Sequence, residues 1–334
     1  MMETIILFGA TGSVGAYTAL NLKERGYNVI AVAKRISDNG FFEEKGIKYY
    51  SVDISKKQEF SKLPQSGIHQ VLHFAGAMPA KMENFDPSVY INSIINGTLN
   101  ILEYTRAVGA LKIVFTQSIS DILYLFGSTQ PISPESMMRY PLIGDHSVYC
   151  ISKISAVNLI DHYFYQYGIK RFILRMPTIY VYHPNPYYYV DGNIKWMGYR
   201  YIINKAMKGE PIEIWGNPSN KKEMVYIKDF TQLIACCVES QLDGGVYNVG
   251  SKNISTFEDQ IKIIINVFSP KEKQSKIVYR PDMPSSPQFI LDTKKAREEL
   301  GYIPTYDCYK LFQDFKLEME NEPFCKLWGR SKLL

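Results

Sequence analysis

The sequence predicts an α/β fold, with helices on both faces of a parallel sheet, and three features carry this prediction. Short runs rich in β-branched residues alternate with longer segments of helical period through the first half of the chain. A glycine-rich turn joins the first run to the first helical segment. The chain has 334 residues, 46% of them hydrophobic, which is enough to bury a large core. Alternating strands and helices form βαβ units, so we expect a doubly wound, Rossmann-type parallel sheet.

The predicted elements follow one another at short intervals. Apolar residues recur at helical spacing after the glycine turn and again before Gly109, where a helix is expected to pack on the sheet. The stretch Met1–Ala10 is short and apolar, which indicates a buried strand rather than a signal peptide. Strands are expected at Thr4–Phe8, Asn28–Ala33, Val71–Phe74 and Lys112–Thr116, and helices at Val14–Arg25, Gly97–Val108 and Tyr309–Glu320.

The pattern changes near residue 180, where proline, tyrosine and asparagine crowd into the stretch Tyr182–Tyr189. Helices and isolated strands follow, which indicates a loop-rich second lobe. We therefore expect a Rossmann-type domain over residues 1–178 and a smaller α/β lobe over residues 179–334. Some segments of the second part, such as residues 224–250, are expected to return to the first domain.

Composition argues against several classes of partner. Charged residues make up 21% of the chain and the net charge is only +5, with Lys and Arg scattered, so a nucleic-acid partner is not expected. No apolar run approaches the roughly 18 residues that span a bilayer, so we expect no membrane partner. The five cysteines lack a CxxC pair and the five histidines lack an HExxH spacing. We therefore expect reduced thiols, a cytoplasmic location and no metal site.

A glycine-rich loop directly follows the first predicted strand and opens the first predicted helix. Glycine lets the chain turn tightly there and lets a pyrophosphate approach the amides at the helix N-terminus, whose dipole favours negative charge. Glycine turns also follow strands that bind no ligand, but a position after the first strand of a βαβ pattern favours a dinucleotide. The candidate cofactor-binding residues of this loop are Gly9, Thr11, Gly12, Ser13, Val14 and Gly15.

Two cations follow the second predicted strand. In a site for NAD, an acidic side chain accepts hydrogen bonds from the ribose hydroxyls at this point, whereas this chain continues from Ala33 into Lys34 and Arg35. Cations there pair with a 2′-phosphate, so NADP is favoured over NAD as the cofactor. The alternative is that both are solvated charges at a strand end. Asp53, followed by Ile54, is placed to meet the adenine end of the cofactor, although a solvent-facing aspartate is nearly as consistent with the sequence.

A tyrosine and a lysine four residues apart form the candidate catalytic pair. Tyr149 and Lys153 share one face of a predicted helix. A phenol titrates near pH ~10, so acid–base catalysis at neutral pH needs a nearby cation, which Lys153 supplies together with an oxidised nicotinamide. The same spacing also arises by chance in a chain with 25 tyrosines. Ser118, just after the strand Lys112–Thr116, is the candidate that orients the substrate hydroxyl, and Ser120 is the second choice. Both serines could instead satisfy backbone groups at the strand end.

These motifs, in this order, resemble those of the extended short-chain dehydrogenase/reductases, and in particular the NAD(P)-dependent nucleotide-sugar epimerase/dehydratase family. The resemblance spans nearly the whole chain. It implies an enzyme with a nucleotide-sugar substrate bound by the smaller lobe, and a homodimer formed through the helices Gly97–Ala107 and Ser155–Tyr165. By this resemblance, the further residues that contact the cofactor are Phe74, Ala75, Gly76 and Pro177, together with Tyr149 and Lys153. Thr178 is expected to contact the substrate, and Lys222 and Arg280 its diphosphate.

Departures from the family pattern narrow the reaction. Dehydratases of this group carry a Thr-Asp-Glu run where this chain has Ser118-Ile119-Ser120, which argues against 4,6-dehydration. An epimerase or a reductase remains, with Tyr149 exchanging the proton and the cofactor carrying hydride, and an NADP preference tilts the expectation towards reduction. The family usually has arginine at Lys222, so the phosphate contact is expected to be a point charge. A non-catalytic NADP-binding regulatory protein on the same fold is an alternative from a different class, and a nucleotide-sugar dehydratase is the other.

Overall fold

Strands and helices alternate regularly through the first half of the computed structural model, which describes residues 3–78, 85–190 and 193–331. Single 3-10 helical segments lie at Lys57–Lys62 and Ile119–Leu125. The other elements of this half are β1 Thr4–Phe8, α1 Ser13–Glu24, β2 Asn28–Ala33, α2 Phe41–Glu44, β3 Lys48–Ser51, β4 Gln70–His73, α3 Pro87–Tyr90, a π-helical stretch Ile91–Asn96, α4 Gly97–Ala107 and β5 Lys112–Ser118.

The second half contains longer helices and mostly short strands. Its first two elements, a long helix and a strand, still belong to the alternating pattern. The elements are α5 Asp145–Tyr167, β6 Lys170–Met176, β7 Ile179–Tyr180, β8 Tyr187–Val190, β9 Asn193–Trp196, α6 Gly198–Met207, β10 Ile212–Trp215, β11 Lys221–Lys222, β12 Val225–Tyr226, α7 Ile227–Glu239, β13 Gly244–Asn248, β14 Ser255–Thr256, α8 Phe257–Phe268, β15 Ile277–Arg280, α9 Lys294–Leu300, α10 Cys308–Asn321 and α11 Cys325–Trp328.

Seven parallel strands form the central sheet in the order β13-β6-β5-β4-β1-β2-β3. The chain adds strands in one direction from β1 to β3, then starts again at β4 and adds strands in the other direction. The carboxyl ends of β1 and β4 therefore border a crevice, which is where doubly wound sheets bind ligands. The sheet confirms the predicted α/β, Rossmann-type fold class.

Side chains of the sheet alternate between two apolar layers. Ile5 and Leu7 pack into one buried cluster with α1 and α7, whereas Ile6 and Phe8 pack into the other with α4 and α5. Both faces of the sheet are thus covered by helices, as parallel sheets require. This packing fixes the carboxyl ends of the strands that carry the site.

The polypeptide after residue 178 contributes one strand to the central sheet and several strands to smaller sheets outside it. Two-stranded sheets β8-β9, β10-β15 and β11-β14 lie outside the central sheet. β13, within residues 224–250, pairs in parallel with β6 and is the outermost strand of the central sheet. The domain boundary after residue 178 stays a prediction.

In residues 3–78, 85–190 and 193–331, no helix is long and apolar enough to cross a membrane. The same residues contain no group of three or more His, Cys, Asp or Glu side chains that could hold a metal ion. All five cysteines are free thiols.

Candidate active site

The glycine-rich loop lies at the crevice between β1 and β4 and is held by backbone on both sides. The Gly9 amide donates a hydrogen bond to the Val32 carbonyl at 2.8 Å. Gly9 has φ = 92°, and a Cβ there would lie 2.7 Å from the Ala75 nitrogen, so only glycine fits beside the loop after β4. A Cβ on Gly15 would lie 2.2 Å from the Gly9 carbonyl oxygen, so the first turn of α1 packs directly on the loop. No side chain of the described residues caps the start of α1, which leaves its first amides available to an anion.

A cleft of about 600 Å³ opens at the carboxyl ends of β1, β2 and β4. This volume lies in the range of roughly 300–1,000 Å³ that is usual for cofactor and small-molecule sites. The remaining loop residues, Ser13, Val14 and Gly15, form the first turn of α1. The cleft is lined by nine of the predicted cofactor contacts, which are Gly9, Thr11, Gly12, Lys34, Asp53, Ile54, Phe74, Ala75 and Gly76.

The two cations after β2 point to different places. Lys34 lines the cleft, and its Nζ lies 3.0 Å from the Asp53 carboxylate. Burial acts to raise the pKa of Asp53, but hydrogen bonds from Ser55 and the contact with Lys34 outweigh it and lower the pKa. Arg35 instead donates a hydrogen bond to the Leu327 carbonyl and is absent from the described lining of the cleft. Of the two cations predicted to bind the 2′-phosphate, only Lys34 therefore lies at the cleft.

One wall of the cleft was missed by reasoning from the sequence. It is built by the helix that begins after Asp86, whose carboxylate accepts a hydrogen bond from the Ser88 amide and caps the helix. Asp86 followed by Pro87 is a recognisable helix start, but nothing in the sequence marks this helix as a wall of the site. The Ala77 amide donates to Ser93 Oγ at 3.0 Å and ties the wall to the loop after β4. The lining residues it supplies are Ser88, Val89, Asn92 and Ser93.

Lys153 lies buried beside the carboxyl end of β5. Its Nζ donates a hydrogen bond to the Thr116 carbonyl at 2.7 Å and lies 4.5 Å from the centroid of the Phe115 ring. Burial lowers the pKa of the Lys153 ammonium group from 10.5 to about 7. A lysine with such a pKa can gain or lose a proton near neutral pH, which is unusual outside functional sites.

Tyr149 lies one helical turn before Lys153 and is only 7% exposed. Burial raises the pKa of its phenol to about 12, and a hydrogen bond with the Ser118 hydroxyl opposes that rise. Its ring meets the ring of Tyr90 edge to face at 6.0 Å, and Tyr90 belongs to the helix that walls the cleft. None of Tyr90, Tyr149 and Lys153 is in the described lining of the cleft, but Tyr90 directly follows the lining residues Ser88 and Val89 on the same helix.

The two candidate serines lie together at the end of β5. Ser120 Oγ lies 2.9 Å from Ser118 Oγ, and the Ser120 amide donates to Ser118 Oγ at 3.2 Å. Ser118 therefore accepts from its neighbour and also interacts with the phenol of Tyr149. This arrangement brings the three predicted catalytic residues, Ser118, Tyr149 and Lys153, to one end of β5.

A buried ion pair holds the segment that carries the serines. Arg175 Nη2 lies 3.1 Å from Asp121 Oδ2, and neither side chain is more than 1% exposed. Arg175 Nη1 also donates to the Pro134 carbonyl at 2.9 Å, and the Asp121 carbonyl accepts from the Arg139 amide at 2.8 Å. Burial raises the pKa of Asp121, while Arg175 opposes that rise. The pair fastens the polypeptide leading into α5 to the sheet, a role that sequence reasoning did not assign.

The two predicted diphosphate cations lie on separate strands outside the central sheet. Lys222, on β11, donates to Ser286 Oγ at 2.7 Å and lies 4.8 Å from the centroid of the Phe257 ring. Burial lowers its pKa. Arg280, at the end of β15, is 43% exposed and forms an ion pair with Glu213 at 3.4 Å. The described contacts do not join the two cations, so a shared diphosphate site stays a prediction.

Two further predicted contacts lie between β6 and β7. Pro177 is buried and Thr178 is exposed. β7 pairs with β12, so this segment joins the central sheet to the later part of the chain. The position after the carboxyl end of β6 suits a contact with a ligand that extends from the cleft, and the roles of both residues stay predictions.

Proteins of known activity resemble this chain along most of its length. UDP-glucuronate 4-epimerase 4 of Arabidopsis thaliana is 24% identical over 330 residues, covering 91% of this chain and 72% of its own. UDP-glucuronate 4-epimerase of Thermodesulfobacterium geofontis is 25% identical, covering 80% of this chain and 77% of its own. A dTDP-glucose 4,6-dehydratase of Xanthomonas campestris is 23% identical, covering 91% and 90%.

Solved structures and a family model complete the comparison. UDP-glucose 4-epimerase of Thermotoga maritima, solved with UDP-glucose, has a TM-score of 0.74 at 21% identity and covers 95% of this chain and 100% of its own. A variant of UDP-glucuronic acid 4-epimerase from Bacillus cereus, solved with NAD, has a TM-score of 0.74 at 22% identity, with the same coverage. At such identities these structures establish the fold. The family model described as NAD dependent epimerase/dehydratase matches residues 5–250. The chain therefore belongs to the NAD dependent epimerase/dehydratase family and is an enzyme of the extended short-chain dehydrogenase/reductase type.

Proposed function

We propose that the protein is a nucleotide-sugar epimerase or reductase that acts at a sugar carbinol or ketone, with Tyr149 as the acid and base. The observation that carries this proposal is the convergence of Ser118, Tyr149 and Lys153 at the end of β5, with Tyr149 packed on the helix that walls the cleft at the glycine-rich loop. Proton exchange with a carbinol requires a phenol, a cation that stabilises the phenolate, and a hydroxyl that orients the substrate.

The side chains divide this chemistry between them. Tyr149 takes the proton of the sugar hydroxyl as the carbinol is oxidised, and gives it back when the ketone is reduced. Burial raises the pKa of the Tyr149 phenol, so a phenolate at neutral pH needs a cation, and the proposal assigns this role to Lys153, one helical turn further along α5. Ser118 holds the substrate hydroxyl within reach of the phenol. When bound, a nicotinamide dinucleotide accepts the hydride from the sugar carbon or supplies it.

The cofactor is proposed to be NADP rather than NAD. Lys34 stands in the cleft at the end of β2, where an acid would repel a 2′-phosphate. It is 81% exposed on its side chain and contacts Asp53, so a phosphate can reach it from solvent. The first turn of α1 has uncapped amides for the pyrophosphate among the described residues.

Epimerisation and reduction are each favoured by one observation. The names of two relatives, both UDP-glucuronate 4-epimerases, support epimerisation. The cation at Lys34 supports reduction, because NADPH is commonly a consumed reductant. Dehydration is less well supported despite the relative named as a dehydratase, since the acid nearest the serines, Asp121, is fully buried and paired with Arg175.

The test is turnover of a panel of UDP-, GDP-, CDP- and dTDP-sugars with NADP, NADPH or NAD, followed by absorbance and NMR. A sugar isomer formed without net change in the cofactor identifies an epimerase. Stoichiometric loss of NADPH identifies a reductase. Cofactor binding without any turnover would overturn the proposal in favour of a non-catalytic regulatory protein. The Tyr149→Phe variant serves as the inactive control.

We also propose a homodimer in a reducing, cytoplasmic compartment. Leu99 on α4 and Tyr165 on α5 are 40% and 80% exposed, although both side chains are largely apolar. A second copy that covers these two helices would bury them. The five free thiols fit a reducing compartment.

A further inference from the structure

The segment Phe324–Trp328, which we call the clasp, returns to the glycine-rich loop after α10. The chain turns at Glu322, which has φ = 44°. The indole Nε1 of Trp328 then donates a hydrogen bond to the Thr11 carbonyl at 2.9 Å. The ring of Phe324 packs on Tyr17 of α1 with a centroid distance of 4.4 Å. The clasp therefore contacts both the loop that lines the cleft and the helix that this loop opens.

The clasp also holds the connection between β2 and α2. The Leu327 carbonyl accepts a hydrogen bond from Arg35, and the Lys326 carbonyl accepts one from Asn39 Nδ2 at 3.0 Å. The ammonium group of Lys326 forms an ion pair with Glu44. These contacts fix the backbone directly after Lys34.

A third set of contacts ties the clasp to the part of the chain beyond β7. The ring of His183 lies 4.7 Å from that of Trp328, and the Tyr182 hydroxyl donates at 2.9 Å to Glu322, which precedes the clasp by two residues. Trp328 therefore touches the glycine-rich loop on one side and the polypeptide after β7 on the other.

We propose that the clasp is a positioning element for the adenosine and pyrophosphate end of the dinucleotide, with Trp328 as its positioning residue. In this proposal, Arg35 holds the clasp through its hydrogen bond to the Leu327 carbonyl, and only Lys34 of the two cations contacts the 2′-phosphate. A loop that is already held in its binding shape loses less conformational freedom when the ligand binds, so its affinity is higher. This inference rests on the proposed cofactor site.

The proposal makes opposite predictions for adjacent residues. Trp328→Phe keeps an aromatic side chain but removes the indole N–H that donates to Thr11 and part of the ring that packs on Phe324, so the Kd for NADP, NAD and ADP-ribose should rise together by at least about fivefold, the loss expected for one hydrogen bond. Arg35→Gln should raise the three Kd values in the same uniform way. Lys34→Gln should raise the Kd for NADP alone, because NAD and ADP-ribose lack the 2′-phosphate.

The measurement is titration calorimetry of the full chain with each ligand, and Trp196→Phe is the matched control because Trp196 lies on β9, outside the clasp and the cleft. A purely structural loss is distinguished by turnover, since kcat at saturating cofactor should stay at the wild-type value in Trp328→Phe. Unchanged Kd values in Trp328→Phe, or an NADP-selective loss in Arg35→Gln, would overturn the clasp proposal alone. A wild-type protein that binds none of the three ligands would overturn the proposed cofactor site and the clasp with it. If Trp328→Phe does not fold, the comparison of Arg35→Gln with Lys34→Gln decides the question.

Discussion

Replacing Lys153 by methionine should stabilise the ligand-free protein at mildly acidic pH while removing its activity. Burial lowers the pKa of this ammonium group from 10.5 to about 7. That change corresponds to about 5 kcal/mol against the charged form. Methionine keeps most of the side-chain volume without the charge, but gives up the hydrogen bond to the Thr116 carbonyl, which contributes about 2 kcal/mol. The expected net gain in the free energy of unfolding is therefore about 3 kcal/mol where the amine is charged in both states.

The pH dependence of this gain has a definite sign. Between pH 7 and 10.5 the unfolded chain keeps the Lys153 proton that the folded chain has lost. The wild-type protein therefore gains stability as the pH rises through this window, by up to about 1.4 kcal/mol per pH unit. The Lys153→Met variant has no such group, so its advantage is largest below pH 7 and disappears about two units higher.

Urea unfolding followed by circular dichroism at several pH values across this window checks the prediction. Tyr149→Phe is the matched control, because it removes the phenol and keeps Lys153, so its pH profile should follow that of the wild type. The reasoning that the charged amine destabilises the folded protein would be refuted by either of two results. One is that the free energy of unfolding of the wild type and of Lys153→Met depends on pH in the same way. The other is that Lys153→Met is less stable than the wild type below pH 7.

Four further predictions test other parts of the molecule. Tyr149→Phe should lower turnover by about 10²–10⁴-fold, the usual contribution of a general acid and base, with an unchanged dinucleotide Kd by calorimetry; full activity would contradict the assignment. Gly15→Ala places a Cβ against the loop carbonyl 2.2 Å away, so the dinucleotide Kd should rise at least about tenfold in a folded protein, and an unchanged Kd would exclude this loop as the phosphate site. Asp121→Ala leaves Arg175 charged and unpaired in the core, so urea unfolding should show a loss of about 3–5 kcal/mol; a loss below about 1 kcal/mol would mean that the pair is not a structural anchor. Leu99→Asp should shift the mass measured by light scattering from two copies to one, and an unchanged mass would place the dimer contact elsewhere.

Local patterns predicted six elements of the first half, β1, α1, β2, β4, α4 and β5, to within two residues at each end, whereas α2, β3 and α3 were not predicted. β1 and β2 begin and end at the predicted residues, because β-branched runs and turns act over only a few positions. The helix after the glycine-rich loop differs from its prediction by one residue at each end, being Ser13–Glu24 in the structure. The glycine loop itself was predictable for the same reason, since its tight turn and its packing on α1 are local requirements.

Contacts between distant segments could not be predicted in this way. Arg175 and Asp121 are 54 positions apart, and Trp328 and Thr11 are 317 positions apart, so neither pairing leaves a local pattern. Arg35 looks equivalent to Lys34 in the sequence, and only the fold reveals that a carbonyl of the clasp holds it. The site therefore depends on pairings that the chain makes only after it has folded.

The position of β13 has a consequence for the order in which the protein can fold during synthesis. Gly244, its first residue, follows the end of β6 at Met176 by 68 positions, so a growing chain leaves the β6 edge unpaired for roughly 3 to 14 seconds at about 5–20 residues per second. An open edge strand is a template for pairing with another chain. Lys170 and Arg171 at the start of β6 place positive charge on that edge, which discourages a second nascent chain from adding to it. The central sheet can thus be completed only after the elements β7 to α7, which lie between β6 and β13 in the chain, have been made.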